Sequence, residues 1–200
     1  MAIKTANNQS MSAITALPSG VSAKSLILLA TETASSSSTI TFDSNIDSTY
    51  KEYIIKYIDI HPSAGDNHFT VNFRDGSTAY DATKTSSSFI AYHLEDGTSS
   101  TLGYDGDADL AQGTGVQRLS WNIGNENDEN IGGYLHLYDP SSTTFVKHYV
   151  ASTIYNNNNS YANNTYVAGY CNVTTAIDGV QFTMAAGTID AGTFKLYGVN

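Results

Sequence analysis

The sequence predicts an all-β fold, an antiparallel β-sandwich of about ten strands, and three observations lead there. Thr, Ser, Asn and Gly are abundant and fourteen residues are Tyr, while Leu, Glu, Lys and Arg are sparse. β-Branched and aromatic side chains suit pleated strands, and Gly, Asn, Asp and Ser suit tight turns. Charged residues make up 14% of the chain, against about 25% in an average domain. Short apolar alternations also recur along the chain with turn signals between them, the pattern of a sandwich or barrel. Two hundred residues are enough for one such unit to bury a core.

Residues 1–23 show no sustained period and contain the turn Pro18-Ser19-Gly20. They read as an extended arm. Either it frays, as termini do, or it orders against a neighbouring subunit with Ile3, Met11, Ile14 and Leu17 as apolar anchors. Residues 24–200 form the sandwich domain. Its first strand signals are Lys24 to Ala30 and Thr39 to Asp43, separated by the serine run 35–38. Tyr50 to Ile60 is apolar on both faces, which calls for cover on both sides or for a bulge, and His61-Pro62 stops it. Phe69, Val71 and Phe73 alternate cleanly with polar residues before the Asp75-Gly76 turn. Further strands are expected at Ser88–Leu94, Val116–Trp121, Gly133–Tyr138, Thr144–Val150, Thr165–Val173, Gly179–Met184 and Thr193–Val199, with turns such as Asp96-Gly97, Asp139-Pro140 and Asp178-Gly179 between them. Three segments read as loops: Tyr80 to Ser88, Leu102 to Gly115, and the asparagine run 156–159.

The formal net charge of −10 excludes nucleic acid as a partner, because that binding needs clustered Lys and Arg. A polybasic patch for anionic membranes is lacking too. No segment approaches the roughly 20 apolar residues needed to span a bilayer as a helix, and no apolar core of a signal peptide stands near the N-terminus. Cys171 is the single cysteine, so no internal disulfide forms. It lies in the alternation Val167–Gly169–Cys171–Val173 and reads as a small buried hydrophobe, with no cationic neighbour in sequence to activate it.

Asp105, Asp107 and Asp109 resemble the opening of a Ca²⁺ loop. The match then fails, since Leu110 stands where Gly is needed and Val116 where a bidentate Glu is needed. A looser Ca²⁺ site stays open beside the plainer reading of a solvated acidic loop. No other cofactor is expected. Glu126, Asp128 and Glu129 cluster in a second acidic loop, where paired carboxylates could serve glycoside hydrolysis but read better as solubilising. His61, His68, His93, His136 and His148 form no HxH or HxxxH pair. No nucleophile elbow or phosphate loop occurs, and a non-enzymatic chain is expected. The tyrosines fill the core or, beside the Asn and Asp loops, suit sugar binding or subunit packing. The four N-x-S/T sites at Asn8, Asn158, Asn163 and Asn172 follow from an Asn/Ser/Thr-rich composition.

Several strings, taken in order, resemble a group of roughly 200-residue virion structural proteins of marine tailed phages. They are TYKEYIIKYIDIHPS (Thr49 to Ser63), AYH (Ala91 to His93), LGYD and LAQGTG (between Leu102 and Gly115), GYLHLYDPSSTTFVKHYV (Gly133 to Val150), VAGYCNVTTAIDGVQF (Val167 to Phe182) and GTIDAGTFKLYGV (Gly187 to Val199). The resemblance covers nearly all of residues 24–200 and is weakest over the arm. It implies a jelly-roll-like sandwich and a component of the virion, made in the host cytoplasm. The leading expectation is a capsid decoration, or cement, protein on the head exterior, contacting the major capsid protein and copies of itself. The alternative is a tail fibre or receptor-binding domain that holds host surface glycans. No catalytic residue is carried over.

Overall fold

The computed structural model describes residues 25–200, and these contain twelve β-strands and no helix. The strands are β1 (Leu26–Ser37), β2 (Thr39–Phe42), β3 (Glu52–Pro62), β4 (Phe69–Arg74), β5 (Lys84–Leu94), β6 (Ser100–Tyr104), β7 (Gln117–Arg118), β8 (Ile131–Tyr138), β9 (Lys147–Asn156), β10 (Tyr161–Cys171), β11 (Gly179–Met184) and β12 (Ile189–Val199). They build an eight-stranded sheet in the order β1-β12-β3-β8-β9-β10-β5-β6 and a four-stranded sheet in the order β2-β11-β4-β7. Every pairing is antiparallel. Only the connections β5–β6, β8–β9 and β9–β10 stay within a sheet. The others carry the chain from one sheet of the sandwich to the other.

The core lies between the two inner faces. Tyr57 and Phe194 from the large sheet meet Phe69 and Phe182 from the small one, with ring centroids 5.2 to 6.1 Å apart. Offset and edge contacts of this kind add about 0.5–1.5 kcal/mol per pair beyond area burial. Phe69, Val71 and Phe73 are fully buried, as their alternation predicts. Of the fourteen tyrosines, however, only Tyr53, Tyr57, Tyr149 and Tyr155 are buried. The rest lie at the surface or half out of it.

Strand β3 resolves its two-sided apolar pattern with a bulge. Tyr53, Ile55 and Tyr57 face the core, the pairing with β8 skips between Tyr57 and Ile60, and Asp59 takes φ +53°. The skip moves the inward phase from odd to even, so Ile60 is buried while Ile58 is left partly exposed. On β8, Leu135 and Leu137 enter the core and Tyr134 and Tyr138 face out.

The structure corrects several boundaries. β9 starts at Lys147 and runs past Val150 to Asn156, into the asparagine run read as a loop, because β8 and β10 pair with it on both sides. β10 starts at Tyr161 and ends at Cys171, and β12 starts at Ile189. β1 runs past Ala30 through the serine run, because β12 pairs with it as far as Ser37↔Ile189. β5 begins at Lys84, inside the segment read as a loop, where Ser and Thr alternate between the faces and β10 supplies the ladder. Ser100–Tyr104 is a strand, β6, paired to β5. The strand expected over Val116–Trp121 shrinks to the two residues of β7. That last difference opens a cleft.

Candidate functional site

Because β7 is so short, the small sheet stops before it covers the ends of β5 and β10. Tyr92 and Tyr161 belong to the inner face yet are only half-buried. Their rings meet edge to face at 4.9 Å. Around them stands a cleft of about 390 Å³, lined by Ile90 and Tyr92 of β5, Tyr161 and Asn163 of β10, Tyr104 and Asp105 at the end of β6, Trp121 and Asn122 after β7, and Asn157 in the β9–β10 turn. This volume falls at the lower end of the range of about 300–1,000 Å³ for small-molecule sites.

Trp121 is fixed from several sides. Its backbone N–H donates to the Tyr155 hydroxyl at 2.9 Å and its indole N–H donates to Asp105 Oδ2. The Arg118 guanidinium lies over the indole at 3.9 Å, and His68 meets it edge-on at 5.2 Å. Burial, with Arg118 beside it, holds His68 below its ordinary pKa. Its Nδ1 accepts from the Asn122 N–H at 3.4 Å, which requires the neutral ring. Asn122 adopts φ +43°, and its carbonyl accepts the Asn158 N–H at 3.1 Å, clamping the turn of the β9–β10 hairpin to the Trp121 loop.

Several polar groups in the cleft have capacity to spare. Asn163 is 5% exposed; its Nδ2 donates to the Tyr161 carbonyl at 2.7 Å, and its Oδ1 accepts nothing from the described residues. The Asn122 carboxamide and the Tyr92 and Tyr161 hydroxyls make no hydrogen bond to the described residues, and Asp105 Oδ1 is likewise unused. The chemistry is that of a recognition site, with fixed aromatic surfaces rimmed by amide, hydroxyl and carboxylate groups.

Asp105 holds Trp121, and the Asp109 carboxylate accepts from the Tyr104 hydroxyl, while Asp107 is exposed. No group of three or more His, Cys, Asp or Glu spaced to hold a metal ion occurs among the described residues. In the second loop Glu129 is buried, and its Oε2 accepts the Glu126 N–H at 2.8 Å. Its carboxylate fills the space beside Gly124, where an added Cβ would come within 1.8 Å of it. That loop is self-braced. Ile3, Met11, Ile14 and Leu17 lie outside the described residues.

Cys171 is fully buried, as the alternation predicts, and burial pushes its thiol up to about 12. It does have cationic neighbours across the strands: Lys84 and Lys147 are its ladder partners on either side. Both lysines are buried and hydrogen-bonded, Lys84 Nζ to Asn72 Oδ1 at 2.6 Å and Lys147 Nζ to the Val173 carbonyl at 2.7 Å. Burial brings Lys84 down to about 8. Nothing in a one-dimensional pattern places these two residues beside the cysteine, since the pairing alone brings them together.

A second surface is the outer face of the large sheet. One cross-strand row runs Tyr134, Ser152, Tyr166, Phe89, Tyr104 across β8, β9, β10, β5 and β6. Phe89 and Tyr166 stack at 4.7 Å. Ile154 is 60% exposed and Val150 and Phe89 are about 40% exposed beside them. These five strands carry no Asp, Glu or Arg, and their two lysines, Lys84 and Lys147, are buried. On a chain of net charge −10, this face is poor in charge and carries exposed aromatic and aliphatic side chains.

Comparison of the chain with protein-family models, with curated proteins and with solved structures finds no match.

Proposed function

We propose that the chain is a non-enzymatic structural component of a tailed-phage particle, a decoration protein that lies on the head exterior. The observation that carries the reading is the outer face of the eight-stranded sheet. Its exposed Tyr134, Val150, Ile154, Phe89 and Tyr104 stand on β8, β9, β5 and β6, strands that contain no Asp, Glu or Arg. Interface cores are depleted in charge and enriched in aromatic residues in the same way. The likeness of the chain's strings to marine-phage virion proteins supplies the setting. In this reading the face packs on the major capsid protein, and by binding only the assembled shell it stabilises that shell through mass action.

The test is co-sedimentation of the purified chain with capsids that lack it, alongside labelling of the chain on intact virions. Attachment to the head that is lost on Val150→Asp with Ile154→Lys supports the reading; failure of the unaltered chain to attach sinks it. A second reading, a tail-borne receptor-binding domain for host surface glycans, is favoured by the aromatic cleft. Label confined to the tail would select it.

A further inference from the structure

We infer that the cleft between β5, β10 and the Trp121 loop is a binding site for a neutral saccharide. The inference is independent of the docking reading, because it concerns the purified chain and a different surface, and it gives the glycan reading a site and a ligand class.

A pyranose presents flat C–H faces and a rim of hydroxyls, so it needs aromatic surface and, around that surface, groups that both donate and accept. The cleft offers both. Tyr92, Tyr104, Trp121 and Tyr161 provide the aromatic surface. Around them the Asn122 carboxamide, Asn163 Oδ1, Asp105 Oδ1 and the Tyr92 and Tyr161 hydroxyls have no partner among the described residues. Carboxamides and hydroxyls both donate and accept, which matches a sugar hydroxyl doing the same. Rigidity comes with the design. The Trp121 loop, the β9–β10 turn and the end of β6 are tied together through Asp105, Tyr155, Asn122 and Asn158, so little ordering is left for a ligand to impose.

The electrostatics select a neutral ligand. Arg118 lies over the indole, but it lines the separate pocket beside His68 and Asp109 and not this cleft. Asp105 lines the cleft and Asp109 holds Tyr104 beside it. No Lys, Arg or His among the described residues lines the cleft, so a sulfated, sialylated or phosphorylated ligand would meet the Asp105 carboxylate there, on a chain that is itself strongly acidic.

Trp121 is the single tryptophan, so its fluorescence reports on this cleft alone. The experiment is a titration of the purified chain with neutral oligosaccharides of the gluco, galacto, manno and N-acetylglucosamine series, read by Trp emission and by saturation-transfer NMR. Choline and a sialylated trisaccharide serve as comparators. The expected result is a saturable emission change with at least one neutral series. Tyr104→Ala and Asn122→Ala should each weaken that binding about fivefold to tenfold, while Leu28→Ser, exposed on β1 at the opposite edge of the sheet, leaves it unchanged. Tyr104 is 66% exposed, so its removal spares the fold, and far-UV circular dichroism checks this. No response to any neutral sugar, a response to choline or the sialylated sugar alone, or binding indifferent to Tyr104 and Asn122 would each overturn the assignment.

Discussion

Two adjacent glycines on β8, Gly132 and Gly133, should respond in opposite ways to the same methyl group. A Cβ added at Gly133 would stand 2.3 Å from the Ser152 carbonyl oxygen and 2.6 Å from the Tyr57 ring, whereas one at Gly132 meets nothing within 4 Å. The Ser152 oxygen is backbone of the neighbouring strand and cannot step aside without parting the β8–β9 ladder. Tyr57 cannot retreat either, since its buried hydroxyl bonds Thr153 Oγ1 at 2.6 Å. Overpacking costs about 1–3 kcal/mol, and displacing the tyrosine strands a buried hydroxyl at about 1–3 kcal/mol more. Gly133→Ala should therefore lose about 2–6 kcal/mol. For a fold of this size that lowers the melting temperature by about 4–24 °C. Gly132→Ala should be neutral or gain up to about 1 kcal/mol by restricting the unfolded chain. Urea unfolding followed by circular dichroism measures both. Equal effects would mean that β8 presents the wrong face to the core, and a one-residue slip against β9 would follow.

Other outcomes follow from the cleft. Asp105→Ala removes the acceptor that holds the Trp121 indole; it should cost about 1–2 kcal/mol at this half-exposed site and shift Trp emission, and an unchanged spectrum would refute the contact. His68 has its pKa lowered by burial and by Arg118, so its contribution to stability is present above the unfolded value of about 6.5 and is lost as pH falls through the depressed folded value. A urea midpoint that falls between pH 7 and pH 5, and falls less in His68→Gln, is expected. Added Ca²⁺ should leave the melting temperature unchanged, since Asp105 and Asp109 are engaged by Trp121 and Tyr104; a rise that Asp107→Asn abolishes would establish the Ca²⁺ site instead.

Alternation made the inward faces legible wherever both neighbours of a strand were strands of the same sandwich. Phe69, Val71 and Phe73 show this, as do Leu135 and Leu137. The two-sided run in β3 could be narrowed to cover or a bulge, and the left-handed Asp59 decides for the bulge. Polar strands were the blind spot. β1 beyond Ala30 and β5 before Ser88 are written in Ser and Thr, and only pairing with β12 and β10 makes strands of them. The cleft was half legible. Tyr104, Asp105 and Asn157 sit in loops flagged as polar, yet Trp121 read as part of a strand because its neighbours alternate. Its place at the cleft depends on β7 ending at Arg118, a limit set by pairing with β4 that no local pattern records.

The two proposed surfaces meet at one residue, and this limits how both could work together. Tyr104 ends the aromatic row of the outer face, opposite Phe89, and also walls the cleft. A partner centred on β5 and β6 would cover Tyr104 and close off part of the cleft. A partner centred on β8 and β9, where Val150 and Ile154 project, would leave the cleft open at the free edge of the sheet. Only the second placement lets a docked decoration protein present a sugar site to the surroundings. The pair Val150 and Ile154 is thus the discriminating one: if their charged variants abolish attachment while Tyr104→Ala spares it, docking and saccharide binding occupy separate ground on the same sheet.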